Sequence, residues 1–204
     1  FIVATCDTIQ RLIVDHLHVI GDIYDRGPQP DKIVDRLIKY HSVDIQWGNH
    51  DILWVGAMAG SALCMMNLLR ICARYNNLSI IEDSYGINLR HLSMYAEHNY
   101  QDLAAFHPRM IKDEQQPKES ELRLISQIQQ ATAVIQFKLE GQLKQRHQGW
   151  NLPGVGLLDQ IDWEKNTIKI GKEDFPLVNT CFSTVDHAHP FELTAEEKSV
   201  TEGL

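Results

Sequence analysis

Basic charge is scarce in this chain: Lys and Arg number 19 against 27 Asp and Glu, a net charge of −8 over 204 residues. Surfaces that meet a phosphate backbone are basic, so nucleic-acid binding is excluded as the main activity. Cysteine is also sparse. Cys6, Cys64, Cys72 and Cys181 include no Cys-x-x-Cys pair, which points to free thiols in a reducing, cytoplasmic setting rather than a disulfide framework. Internal repeats and low-complexity tracts are missing, and no signal peptide is expected. The chain opens Phe1-Ile2-Val3 without Met and closes Thr201-Glu202-Gly203-Leu204, so it is expected to be an internal piece of a longer protein. One uncharged run, Ile52 to Leu69, spans 18 residues, near the length of about 20 that a bilayer crossing needs. Ser61, Asn67 and interspersed Gly and Ala dilute it, and it adjoins a polar motif. A core helix is therefore expected, with Gly56 and Gly60 allowing close backbone approach, and no membrane association.

What is present fits a folded α/β chain. Hydrophobic residues make up 44% and charged residues 23%, ordinary globular values. A chain of this size buries roughly two-thirds of its unfolded surface and needs no staples. Ile2, Cys6, Ile9 and Ile13 recur at helical spacing. Leu17 to Gly21 is short, β-branched and closed by Gly, a buried strand. A helix follows over Asp31 to Tyr40, started by Pro30 or Asp31. Val43 to Gly48 alternates apolar and polar, a second strand. Strand, helix and strand in about 30 residues make a βαβ unit with parallel neighbours.

Residues 75–118 are mixed, with a polar loop from Lys112 to Lys118. Glu119 to Arg146 is one long helix, with Leu122, Ile125, Ile128, Ile135 and Leu139 on a stripe. Ile161 to Trp163, Thr167 to Ile170 and Phe175 to Val178 form a small antiparallel meander. The last 18 residues are expected to be polar and loosely held. The fold class is α/β, a mostly parallel sheet with helices on both faces and an inserted helical and small β region. The expected division is a core portion at 1–110, the insert at 111–186 and a polar tail at 187–204.

Two motifs carry the chemistry: Gly21-Asp22-Ile23-Tyr24-Asp25-Arg26-Gly27 and Gly48-Asn49-His50-Asp51. Both lie at the carboxyl ends of the two expected parallel strands, where open α/β sheets place ligands. Asp22, just past a Gly, can project a carboxylate toward a hard or borderline cation. Asn49 offers an amide oxygen suited to Mn²⁺ or Mg²⁺. Asp25 is placed to accept a hydrogen bond from an imidazole, and His50 is the candidate for it, a group suited to proton transfer near neutrality. Arg26 adds a planar fork that matches phosphate oxygens. Taken singly, a Gly-Asp is a turn, an Asn-His is a loop and Asp25–Arg26 is a surface ion pair. It is their joint placement at adjacent strand ends that argues for a site.

The pair GDxxDRG and GNHD resembles the calcineurin-like metallophosphoesterases. Further segments, Pro28 to Asp31, His41 to Trp47, Ile71 to Tyr75 and Tyr85 to Arg90, are similar to the class III, bacterial fructose-1,6-bisphosphatases, with the likeness weakening after about Lys144. The resemblance implies a partial calcineurin-like fold. It also implies hydrolysis of fructose 1,6-bisphosphate to fructose 6-phosphate in carbohydrate metabolism (gluconeogenesis), with two Mn²⁺ ions. Asp22 would bridge the metals and Asn49 would bind one. His50 would protonate the leaving alkoxide, Asp25 would orient His50, and Arg26 would contact the phosphoryl group. The partner implied is a sugar phosphate, and a homo-oligomer is compatible with it.

The superfamily's upstream Asp-x-His and two downstream His-bearing motifs are not found, so this stretch holds about half of a two-metal site. In Asp15-His16-Leu17-His18 the spacing is wrong, and both histidines are expected to pack beside the strand. His187-Ala188-His189 lacks the preceding Gly and is expected in a surface loop. Other readings remain: a protein Ser/Thr phosphatase, a dinucleoside polyphosphate hydrolase, or a non-catalytic fragment acting through the 119–146 helix.

Overall fold

The computed structural model describes residues 1–109, 117–152, 154–178 and 181–204. The expected loop at 112–118 falls largely outside them. The chain begins with α1 (Ile2–Ile13), β1 (Leu17–Val19), α2 (Pro30–Ile38) and β2 (Val43–Ile45). The two strands pair in parallel, Leu17 opposite Val43 and Val19 opposite Ile45, as the βαβ spacing requires. Pro30 opens α2, where its missing N–H costs nothing.

The strands are not buried as expected. Leu17, Val19, Val43 and Ile45 are half-covered, but His18, Ile20, Asp44 and Gln46 lie exposed on the other face. Among the described residues the parallel sheet has two strands and helices do not cover both its faces. Alternation marks which side chains share a face, but not whether anything covers it. His16 and His18, expected to pack beside the strand, stand on this open side and both hydrogen-bond Asp44.

The uncharged run does not form one core helix. It divides into α3 (Asn49–Met58) and α4 (Ala62–Arg74). Gly60 turns the chain at a left-handed φ of 84°, and the Ser61 side chain caps α4 by accepting from the Cys64 N–H. Gly56 does allow close approach, since a Cβ there would sit 2.5 Å from Cys64 Sγ. Only the second half is core: Met66, Leu68 and Leu69 are buried, whereas Ile52, Val55 and Met58 are exposed.

A π-helical turn at Ile80–Ser84 leads to α5 (Arg90–Asn99). The long helix α6 (Glu119–Arg146) has the expected bounds and packs on α4 and α5. It is enclosed on nearly every side between Ile125 and Gln136, not along one stripe. Several of its buried polar groups find partners, as burial demands, although Gln127 Oε1 and Gln129 Oε1 have none. Gln127 Nε2 donates to Tyr100 O (2.7 Å) and Gln130 Nε2 to Gln101 O (2.8 Å).

The meander forms as β3 (Ile161–Asp162), β4 (Thr167–Ile170) and β5 (Glu173–Pro176), antiparallel throughout. The final residues correct the expectation of a loose tail. They contain α7 (Ala195–Glu202), in which Glu197 and Val200 are buried. Glu197 meets the fully buried Lys138 of α6 at 2.7 Å, accepts from the Tyr95 hydroxyl at 3.0 Å and from the Thr194 N–H at 2.8 Å. A carboxylate this far from water persists only with such partners.

Candidate active site

The two motifs converge because two glycines let their loops touch. A Cβ at Gly48 would lie 2.1 Å from Asp22 Oδ1, and one at Gly21 would lie 2.3 Å from Gln46 O. Gly21 also takes a φ of 87°, which a side chain would strain. After this turn Asp22 itself sits in the left-handed region at φ 51°, its Oδ1 accepting from the His50 N–H at 3.3 Å. Asn49 and His50 open α3, with Gly48 as N-cap.

Asp51, to which the motifs assign no role, ties the two loops together. Its carboxylate is fully buried and accepts from two backbone amides, Tyr24 N–H of the first motif (3.0 Å) and Gly48 N–H of the second (2.9 Å). Together with Asp22 it crosses the gap in both directions, each loop's carboxylate holding the other's backbone. The signal was available: an acidic residue three positions after a helix-starting Gly is a capping position.

The structure brings Asp25, Arg26 and His50 together. Asp25 Oδ1 lies 3.2 Å from His50 Nε2, and both oxygens take hydrogen bonds from Arg26, at 3.1 Å and 3.2 Å from Nε and 3.2 Å from Nη2. Asp25 thus serves an imidazole and a guanidinium at once. The hydrogen bond and charge of Asp25 push the Arg26 pKa further up, with Tyr75 adding to it. Nε2 is the ring nitrogen of His50 that is turned to Asp25.

Behind the pair runs a narrow cleft lined by Tyr24, Trp54, Cys72 and Tyr75. The Tyr24 and Trp54 rings lie 4.5 Å apart, and the Tyr24 hydroxyl meets that of Tyr85 at 2.6 Å. Burial, then this hydrogen bond, raises the Tyr24 pKa. Burial pushes the Cys72 thiol up to about 12, so it is inert as a nucleophile.

Asp22 and Asn49 supply two oxygen donors. Among the described residues, no group of three or more His, Cys, Asp or Glu converges as a metal site, and a hard cation takes more ligands than two. The described residues do not by themselves complete a two-metal centre. His187 and His189 are exposed in a loop, with the His187 ring stacked on Trp163 at 4.0 Å. No helix among the described residues is long and apolar enough to cross a membrane.

Comparison with known proteins agrees with the motifs. The family model described as Firmicute fructose-1,6-bisphosphatase matches residues 1–204. The chain is 58% identical over 204 residues to a class 3 fructose-1,6-bisphosphatase of Ligilactobacillus salivarius, covering 100% of this chain and 32% of that protein. It is 55% identical over 207 residues to one of Lacticaseibacillus casei, covering 100% and 32%. A protein of the same name from Bacillus velezensis is 55% identical over 195 residues, covering 96% and 30%. The chain spans about a third of the length of these relatives. No solved structure matches it. With Asp25, Arg26 and His50 in contact and a family model matched from Phe1 to Leu204, the chain belongs to the Firmicute fructose-1,6-bisphosphatase family.

Proposed function

We propose that the protein hydrolyses the phosphate ester of fructose 1,6-bisphosphate, giving fructose 6-phosphate and inorganic phosphate, as part of cytoplasmic carbohydrate metabolism. The observation that carries this is Asp25 holding the His50 imidazole and the Arg26 guanidinium side by side. That arrangement suits a phosphomonoester: Arg26 takes phosphate oxygens, and His50, protonated and oriented by Asp25, gives its proton to the alkoxide as the P–O bond breaks. Water supplies the oxygen that replaces it. The relatives' name, which states this substrate, supports the same reading.

A divalent cation of the Mn²⁺ or Mg²⁺ type belongs to the proposal, with Asp22 and Asn49 as two of its oxygen donors and the others from outside this stretch. When bound, such an ion supplies Lewis-acid polarisation of phosphate oxygens. The parallel β1–β2 pair with both motifs at its carboxyl end supports placing residues 1–110 in a calcineurin-like fold, with 111–186 as an insert.

The test is phosphate release from fructose 1,6-bisphosphate by the full-length protein with Mn²⁺, beside His50→Ala. Loss of about 10²–10⁴-fold in kcat, the usual contribution of a positioned acid, is expected. Wild-type-like rates in the variant would remove His50 from the chemistry. Cleavage of another phosphoester but not this one would overturn the substrate.

A further inference from the structure

We propose that Tyr75 is a positioning residue that fixes the plane of the Arg26 guanidinium for phosphate; this rests on the reading of Arg26 as the phosphate-binding group. The Arg26 side chain is 55% exposed and stands on a loop, where a long, freely rotating side chain loses entropy on binding. Two contacts hold it. Asp25 takes the edge formed by Nε and Nη2. The Tyr75 ring lies against the face, its centroid 5.2 Å from Cζ, within the range of an attractive cation–π contact.

An edge and a face together define a plane. The edge formed by the two Nη atoms is left over, and it presents parallel N–H donors of the kind that grip two phosphate oxygens. Tyr75 also lines the same cleft as Asp25 and His50, so the ring reaches the site directly.

What makes the ring a firm support is its place in the chain. Tyr75 is the C-cap of α4, its N–H donating to Ile71 O at 3.1 Å. The next residue, Asn76, turns at φ 57°, and Asn77 N–H closes on Cys72 O at 2.8 Å. Arg74 beside it is tied on both sides: its carbonyl accepts from Arg109 N–H at 2.7 Å, and its Nη1 donates to Ala105 O at 3.2 Å. The packed helices thereby reach across to a residue of the exposed motif loop.

The test uses the full-length protein, with Tyr75→Leu, Tyr75→Phe, Arg26→Ala and the Leu/Ala double variant. Inorganic phosphate is titrated into each, and KM and kcat for fructose 1,6-bisphosphate are measured. Tyr75→Leu is expected to weaken phosphate binding and raise KM about two- to fivefold, as loss of a solvent-exposed cation–π contact would, with a smaller change in kcat. Tyr75→Phe keeps the ring and should recover most of the loss. In the Arg26→Ala background the Leu exchange should add nothing. An equal loss in that background, or no recovery by Phe, would overturn the proposal. If Arg26→Ala weakens phosphate and Tyr75→Leu does not, the positioning role alone falls. If Arg26→Ala leaves phosphate binding unchanged, the reading of Arg26 falls, and this inference with it.

Discussion

Residues 1–60 and residues 62–204 are held together by different forces. In the first stretch only Pro30 and Asp51 are buried, α1 buries nothing, and Phe1, Ile2, Leu12, Ile13, Ile20, Ile38 and Met58 are each at least three-quarters exposed. Every buried apolar residue of the core, from Met66 to Val200, belongs to the second stretch. The site-bearing stretch relies on hydrogen bonds between its two motif loops, the supporting stretch on apolar packing around α6. Exposed apolar area on that scale is typical of surfaces that another surface covers. The difference teaches that the site and the core lie in different stretches here, joined where α3 meets α4, where Tyr24 and Trp54 meet Tyr85 and where Tyr75 meets Arg26.

The hardest blow to the supporting stretch falls on its buried ion pair. Lys138→Met leaves the Glu197 carboxylate without its cation in a site closed to water, a change that costs about 3–5 kcal/mol. Hydrogen exchange of the full-length protein should show protection falling across α6 and α7. Asp25, Arg26 and His50 lie in the other stretch, so kcat measured below the onset of unfolding should hold. Lys138→Met/Glu197→Gln, which leaves no bare charge, should regain most of the protection. A collapse of kcat with no change in exchange would break the separation.

That ion pair also shows why part of the fold could not be seen in the sequence. Lys138 and Glu197 stand 59 positions apart, and no local pattern couples them, so 187–204 looked like a loose polar tail. The break between α3 and α4 was hidden for another reason: Gly60 and Ser61 are ordinary in an uncharged run until one knows that Gly60 turns left-handed. The half-open state of β1 is not legible in its residues because periodicity assigns faces, not covers. By contrast, the βαβ unit, the bounds of α6 and the meeting of Asp25 with His50 depend on short-range spacing and turn chemistry, which the residues themselves carry.

Asp51 sharpens the comparison from the other side, as the buried group on which the site-bearing stretch depends. Asp51→Ala strips an acceptor from the Tyr24 and Gly48 amides, and each unpaired N–H costs roughly 1–3 kcal/mol. The two motif loops should lose their spacing. Both kcat and phosphate affinity should fall, whereas exchange protection in α6 stays as it was. Asp51→Asn, which keeps one acceptor oxygen, should fall between. Matching losses in α6 would show that the two stretches fold as one.

The smallest effect lies on the open sheet face. Hydrogen bonds from His16 and then His18 hold the Asp44 carboxyl below its usual range. A carboxyl depressed in the folded state stabilises that state above its unfolded value, about 3.9, and the contribution is lost as pH falls through the folded value. Asp44 is half-exposed, so solvent screening keeps the effect slight. Asp44→Asn should leave activity unchanged and flatten the acid end of the stability curve, read as exchange of β1 and β2 amides between pH 6 and the acid limit. An equal acid slope in wild type and variant would mean that the pairing of the two strands owes nothing to this cluster. The two motif loops would still be joined by the Asp22 and Asp51 crossings.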